Sequence, residues 1–169
     1  NMSVAGPYYM DQIDDIKKTI AEQQLDIVPV EGQELDEEQQ TALDDAIAQI
    51  TDEDIYNYIL EMNPDVKGIF ATNGDTTMQA LTACEGKDMK DVVIMGYDAD
   101  QEEIDAMKDG RIAGMIVQNP YGMGYATVVA EARCALNMGN EANVNTGYTW
   151  VTPDNIEDRT VQDILYAEK

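Results

Sequence analysis

Short apolar runs alternate with longer amphipathic segments along this chain of 169 residues. Apolar side chains spaced like Ile13, Ile16 and Ile20 predict helices, whereas compact apolar runs bounded by turn residues predict buried strands. The expected helices are Asp11–Gln23, Asp36–Ile50, Glu53–Met62, Thr76–Cys84, Gln101–Lys108, Tyr121–Met138 and Val161–Ala167. The expected strands are Met2–Ala5, Leu25–Val30, Val66–Thr72, Val92–Tyr97, Ile112–Gln118 and Val144–Thr152, the last an exposed or edge strand.

The order of these elements predicts the fold class. Strands separated by helices form parallel sheets with right-handed crossovers, so we expect an α/β fold with a doubly wound parallel sheet. In such sheets ligands bind at the carboxyl ends of the strands. The residues that follow each strand are therefore the first candidates for a functional site.

Composition narrows the functional classes. The chain has 34 acidic and 10 basic residues, a formal net charge of −24, which argues against nucleic acid or an anionic membrane surface as a partner. It has no histidine, the commonest general base, and only two cysteines, too few for a zinc cluster. We therefore expect no catalytic residue, no cofactor and no metal site. The most acidic stretch, Gln33–Asp54, is interpreted as solvated helix faces and helix starts.

Polar side chains follow three of the predicted strands. Asn73, Asp98 and Gln118 supply two amides and a carboxylate, and Tyr8 and Tyr9 follow the expected first strand. Amides and carboxylates pair with vicinal hydroxyl groups, and aromatic rings cover the apolar faces of a sugar. This combination favours a neutral, polyhydroxylated ligand.

Each of these positions also has a purely structural interpretation. Asn73 and Asp98 stand before predicted helices and are typical capping or turn residues. Asn119 with Pro120 is typical of a turn, and the two tyrosines suit the edge of a core. For any single position the structural interpretation is favoured. Their coincidence on successive strand ends favours ligand binding.

Five segments resemble signature stretches of the type I periplasmic binding proteins, the sugar-binding subunits of ABC importers of the ribose-binding type. The resemblance covers the carboxyl-terminal half of that family and is tight from about Pro64 onward. The segments are Pro64–Asn73, Val92–Asp98, Ile104–Ile112, Val117–Tyr125 and Asn145–Ile156.

The resemblance implies a fold and a role for each matching residue. The fold would be one flavodoxin-like lobe of a two-lobed protein. Asn73 would donate to and accept from sugar hydroxyls, Asp98 would accept from them, and Gln118 would reach the sugar from beside the hinge. The implied partners are a small sugar and, for the intact protein, a membrane permease. The implied location is periplasmic or extracellular, with or without a membrane anchor.

The sequence departs from the family pattern in its first third. The helix start Met10–Asp14 lacks the arginine that binds ligand in the family, and Leu35 stands near the place of an expected aromatic residue. An alternative function is the effector-binding domain of a sugar-responsive regulator or sensor, which shares the fold. An enzyme is disfavoured because the chain has no histidine.

The resemblance also predicts the domain organisation. Residues 1–118 would form the ligand-binding lobe, residues 119–150 a helix and strand that pack on the other lobe, and residues 151–169 the hinge return and tail. The helix Tyr121–Met138 would then present an apolar face without a sheet to cover it. We expect this segment either to fold back onto the chain's own sheet or to be covered by a second copy in a homodimer formed through residues 121–138. Alternatively, the missing lobe is supplied by another chain or was lost by proteolysis.

Overall fold

The computed structural model describes residues 2–28, 30, 34–141 and 143–165, with side chains described from residue 12 onward. The chain divides into two compact units, Asn1–Val66 and Lys67–Lys169. The α/β class is confirmed, since the chain combines helices with a four-stranded, mostly parallel sheet. The domain boundaries expected at residues 118 and 150 stay predictions. In the part of the chain that the structure describes, no helix has the length and apolar character needed to cross a membrane.

Three helices build the first unit: α1 (Met2–Gln24), α2 (Glu37–Gln49) and α3 (Asp52–Met62). Its core contains Ile20, Ile50 and Ile55, and Ile13 and Ile16 pack against them. The helical spacing of Ile13, Ile16 and Ile20 in the sequence therefore marks the face of α1 that packs in the core, as predicted.

Two predicted strands of the first unit are wrong. Met2–Ala5 is the start of α1, and the described residues of Leu25–Val30 form no strand. The backbone N–H of Leu25 donates to Ala21 (3.0 Å) and that of Ile27 to Glu22 (2.9 Å), which closes the end of α1. Amide groups used to end a helix are not available to a sheet.

The acidic stretch of the first unit forms helix starts, as expected. The carboxylate of Asp36 caps α2 by accepting from the N–H of Gln39 at 2.8 Å. Thr51, one residue before the N-terminus of α3, caps that helix together with Asp54. Hydrogen bonds from the hydroxyl (2.6 Å) and N–H (2.9 Å) of Thr51 hold the pKa of the Asp54 carboxyl below its usual value.

A four-stranded sheet organises the second unit. Its strands are β1 (Gly68–Phe70), β2 (Val93–Tyr97), β3 (Gly114–Gln118) and β4 (Tyr148–Val151), in the order β1-β2-β3-β4. The first three are parallel, as predicted. The edge strand β4 runs antiparallel to β3, with Met115 opposite Val151, so it has a hydrogen-bonded neighbour within the chain.

Four helices accompany this sheet: α4 (Gly74–Gly86), α5 (Gln101–Lys108), α6 (Pro120–Ala135) and the short α7 (Arg159–Gln162). The tail helix is shorter than predicted, and residues 166–169 lie outside the described part. The unit buries side chains from its strands and from α4 and α5. Its largest fully buried apolar side chains are Met107, Ile112, Met115, Val117 and Val151.

Helix α6 differs from the other long helices because none of its residues is buried. Val128 is 65% exposed, and Leu136, its C-cap, is 70% exposed. The apolar face predicted for this segment therefore lies uncovered in the chain as described.

Helix α4 approaches the sheet closely at Gly96. A Cβ atom on Gly96 would lie 2.5 Å from Cγ2 of the fully buried Thr77 on α4. We expect Gly96→Ala to destabilise the second unit by about 1–3 kcal/mol, because backbone and helix must move apart. Gly86→Ala is the matched control: Gly86 ends the same helix with nothing within 4 Å, so its effect is neutral or slightly stabilising.

Urea unfolding followed by the fluorescence of Trp150, the only tryptophan, measures both variants. Equal midpoints for Gly96→Ala and Gly86→Ala would contradict the close packing of α4 on β2.

Candidate functional site

The carboxyl ends of β1, β2 and β3 border one cleft of about 470 Å³. The structure brings the predicted site residues Asn73, Asp98 and Gln118 together there. Each follows or ends a strand, and parallel strands place these ends at the same edge of the sheet. The cleft is lined by Asn73, Gly74, Asp75, Asp98, Asp100, Gln118, Pro120 and Met123.

Asn73 has a structural role in addition to its place in the cleft. Its Oδ1 accepts from the N–H of Thr76 at 2.9 Å and caps α4, so the capping alternative is correct for this residue. With Oδ1 engaged, the amide NH₂ group is the part of the side chain suited to donate to a ligand. Capping and binding are compatible because they use different ends of the amide.

Asp98 is not a helix cap, since Asp100 caps α5 instead. Its backbone is left-handed, with φ +77°, an uncommon conformation for a residue with a side chain. The N–H of Asp98 donates to the carbonyl of Ile116 at 2.9 Å, and Oδ1 accepts from Nε2 of Gln118 at 2.8 Å. Together these contacts fix the Asp98 carboxylate against the neighbouring strand.

Asn119 has the structural role that the sequence allowed for it. Its Oδ1 accepts from the N–H of Gly122 at 2.8 Å and caps α6, and its Nδ2 donates to the carbonyl of Thr146 at 3.0 Å. Both ends of the amide are engaged, so Asn119 orders the turn after β3 and keeps Gln118 in place.

The strand-end argument for Tyr8 and Tyr9 is wrong. Their backbone lies inside α1, in the first unit, and the described residues before them, 2–7, are part of the same helix. A short segment such as Met2–Ala5 does not distinguish a strand from a helix by its pattern alone. Their side chains lie outside the described part of the chain, so their contact with a ligand stays a prediction.

Asp75 and Asp100 were missed by the sequence analysis. With Asp98 they give the cleft three carboxylates, and none of its described lining residues is basic. Asp100 shares a capping box with Glu103: Oδ1 of Asp100 accepts from the N–H of Glu103 (3.0 Å), and Oε2 of Glu103 accepts from the N–H of Asp100 (3.3 Å). The spacing Asp-x-x-Glu is the signal that predicts this pair.

Glu103 is the buried acid beneath this cleft, with 0% of its surface exposed. Burial raises the pKa of its carboxyl to about 7, and the nearby charges of Asp100 and Asp98 add to the rise. Hydrogen bonds from the backbone of Asp100 and from the side chain of Thr77 oppose it. A carboxyl group that binds its proton more tightly in the folded chain stabilises the fold below about pH 4.5, and that stability is lost as pH rises through about 7.

We therefore expect the stability of Glu103→Gln, relative to the parent chain, to increase with pH. The gain between about pH 5 and about pH 8 should be about 2–3 kcal/mol, because the amide cannot ionise. The neighbouring exposed Glu102→Gln is the matched control and should show little change. Urea unfolding of all three proteins at both pH values measures the effect, and a pH-independent difference would show that Glu103 is not titrating near neutrality.

Other candidate sites are weaker. Among the described residues, no group of three or more His, Cys, Asp or Glu side chains is arranged to hold a metal ion. A larger hollow of about 830 Å³ lies in the first unit, lined by residues of α1, α2 and the segment between them. Its described lining includes none of the predicted site residues, so the strand-end cleft is the candidate site.

Comparison with known proteins gives a family for most of the chain. Residues 3–135 match the family profile described as periplasmic binding protein domain. The ribose import binding protein RbsB of Salmonella typhimurium (strain LT2) is 35% identical over 66 residues, which are 39% of this chain and 22% of that protein.

Solved structures support the same assignment. A carbohydrate transporter solute binding protein from Agrobacterium radiobacter, in complex with D-arabinose, has 26% identity and a TM-score of 0.62, covering 76% of this chain and 50% of that one. An ABC transporter, LacI family transcriptional regulator from Brachyspira murdochii has 25% identity and a TM-score of 0.58, covering 68% and 40%. The chain thus spans half or less of these proteins.

Proposed function

Because the chain belongs to the periplasmic binding protein family, we propose that it is the carbohydrate-binding component, or part of one, of a bacterial ABC-type importer for a small sugar. The observation that carries this proposal is the cleft shared by Asn73, Asp98 and Gln118. The ligand-bound relative described above binds a pentose, D-arabinose. The activity is binding and release, without a chemical change in the ligand.

The hydrogen-bonding capacity of the cleft suits hydroxyl groups. Asp98 uses Oδ1 to hold Gln118, which leaves Oδ2 to accept from a sugar hydroxyl. Gln118 keeps its carbonyl oxygen as an acceptor, and the amide of Asn73 donates. A hydroxyl group both donates and accepts, so adjacent hydroxyls on a sugar ring can bond to these two acceptors and to the donor.

The antiparallel pair of β3 and β4 supports closure at a hinge. Gln118 lies opposite Tyr148 in this pair, so the chain leaves and re-enters the sheet at the edge of the cleft. We propose that the segments at Gln118 and Val151–Pro153 connect this unit to a second lobe that closes over the sugar. A permease would recognise the closed form, and the protein would work in the periplasm or outside the cell.

Sugar binding can be measured on the chain by ¹H–¹⁵N NMR. Titration with D-arabinose and D-ribose should shift the side-chain amides of Asn73 and Gln118 and the backbone amide of Asp98. Asp98→Asn should weaken binding about tenfold, because a neutral acceptor replaces a charged one while the bond from Gln118 is kept.

Asp88→Asn is the matched control for that substitution. Asp88 also has a left-handed backbone, φ +55°, but it is exposed and pairs with Lys90 at 2.7 Å, outside the cleft. Its replacement should leave the affinity unchanged. Equal losses in the two variants, or shifts confined to residues outside the cleft, would contradict the proposed site.

A second candidate function is the effector-binding domain of a sugar-responsive regulator. The observation that favours it is the similarity to the Brachyspira murdochii protein described as a LacI family transcriptional regulator. Both functions share the sugar-binding step and differ in what the closed form contacts. The complete reading frame distinguishes them, since an export signal supports the importer and a helix-turn-helix supports the regulator.

We also propose that the exposed face of α6 is covered by a second copy when the chain is alone. Light scattering on the purified chain should then give twice the chain mass of 18.7 kDa. Val128→Glu should shift the mass to that of a monomer, because a charge is costly in an apolar interface. Glu131→Gln on the same helix is the control that should keep the dimer, and a monomeric parent chain would refute this proposal.

A further inference from the structure

The Glu103 carboxyl is more deeply buried than an unpaired charge normally allows. Its Oε1 is the one buried side-chain atom without a hydrogen-bond partner among the described residues. Its Oε2 lies 3.2 Å from where a Cβ on Gly74 would stand, directly under the start of α4. Glu103 thus lies against the backbone that carries the cleft residue Asn73.

Thr77 connects Glu103 to two strand ends. Its hydroxyl donates to the carbonyl of Asn73 at 2.7 Å and accepts from the N–H of Tyr97 at 3.4 Å, and its side chain is also hydrogen-bonded to Glu103. Tyr97 precedes Asp98. A single buried hydroxyl therefore contacts the residues that hold both Asn73 and Asp98 in the cleft.

The hydrogen bonds among Glu103, Thr77 and Asn73 depend on whether Glu103 carries a proton. A hydroxyl has one proton to donate and two lone pairs that accept. If Glu103 is ionised, it only accepts, so it competes with the Asn73 carbonyl for the single proton of Thr77. If Glu103 is protonated, it donates to Thr77, and Thr77 donates to Asn73 without competition.

We propose that Glu103 is a positioning residue of the strand-end cleft, which orders Asn73 and Asp98 through Thr77 when it is protonated and loosens them when it is ionised. Its effect on ligand affinity rests on the proposed function, whereas its effect on the cleft residues does not.

The charges around Glu103 act in the same direction. Asp100 faces it from the start of α5 and Asp98 from the turn after β2, and both favour the protonated form. From α4 it meets Gly74 and Thr77, neither of which is charged. Burial brings the pKa of Glu103 to about 7. The chain has no histidine, so no imidazole titrates beside Glu103 in the neutral range.

The first test needs no ligand. ¹H–¹⁵N spectra from about pH 5 to about pH 9 follow the amides of Gly74, Tyr97, Asp98 and Asp100 and the side-chain amide of Asn73. We expect a common titration step near neutrality in the parent chain. Glu103→Gln should abolish it, because the amide cannot ionise. No step in the parent chain, or a step that persists in Glu103→Gln, would overturn the proposal.

Variants of Thr77 test the connection itself. Thr77→Val keeps the shape and removes the hydroxyl, so the step should persist at Asp100, which bonds Glu103 directly, and disappear at Asn73. Thr77→Ser restores the hydroxyl and should restore the step at Asn73. A step at Asn73 that survives in Thr77→Val would show that Thr77 does not carry the effect.

The last arm adds D-arabinose at about pH 6 and about pH 8. The parent chain should lose affinity several-fold at the higher pH, and Glu103→Gln should bind equally at both. Equal affinity of the parent chain at both pH values, with the ligand-free step present, would overturn the role in binding. Absence of any sugar-induced shift would count against the proposed function, and the ligand-free spectra would still decide the role of Glu103.

Discussion

The close approach of α4 to β2 at Gly96 is the constraint on which the candidate site depends. Only a residue without a side chain lets Thr77 reach the sheet, since a Cβ there would stand 2.5 Å from Cγ2 of Thr77. At that distance the Thr77 hydroxyl satisfies the N–H of Tyr97 and the carbonyl of Asn73. The segment that follows β1 and the end of β2 are thereby both hydrogen-bonded to the first turn of α4, which holds the cleft residues Asn73 and Asp98 in position.

Much of the second unit could be predicted from the sequence because its signals are local. Compact apolar runs such as Val92–Tyr97 are separated by helices, and each run finds its neighbour along the chain in order. The strand predictions for the first unit are wrong because a strand depends on contacts that are not local. Whether Leu25–Val30 forms a strand depends on a pairing partner elsewhere in the chain. Instead, the amides of Leu25 and Ile27 donate to carbonyl groups of α1.

Helix ends were displaced for a related reason. Helix α4 continues to Gly86 instead of ending at Cys84, and α6 ends at Ala135 instead of Met138. After these two helices the left-handed position belongs to Asp88 and Asn137. Asp and Asn tolerate this conformation because their short polar side chains bond locally, so apolar spacing alone misplaces the boundary by a few residues.

The candidate site could be predicted as far as topology determines it. The strand-end rule is sufficient to bring Asn73, Asp98 and Gln118 together, because parallel strands share one edge. Glu103 could not be found in this way. In the sequence it is an ordinary acidic residue in the first turn of a helix, and only the packing of α4 against α5 shows that it is buried.

An open cleft on one unit requires that its ligand-binding side chains be held in position before the ligand arrives. A ligand there is covered on one side only, so little surface is buried and little of the ordering cost of binding is offset. Affinity then depends on donors and acceptors that are already in position before the ligand arrives. The left-handed backbone of Asp98, its bond to Gln118 and the buried contacts of Thr77 supply that order within the protein itself. Under the proposed function, the buried acid Glu103 acts on binding through this order, without lining the cleft itself.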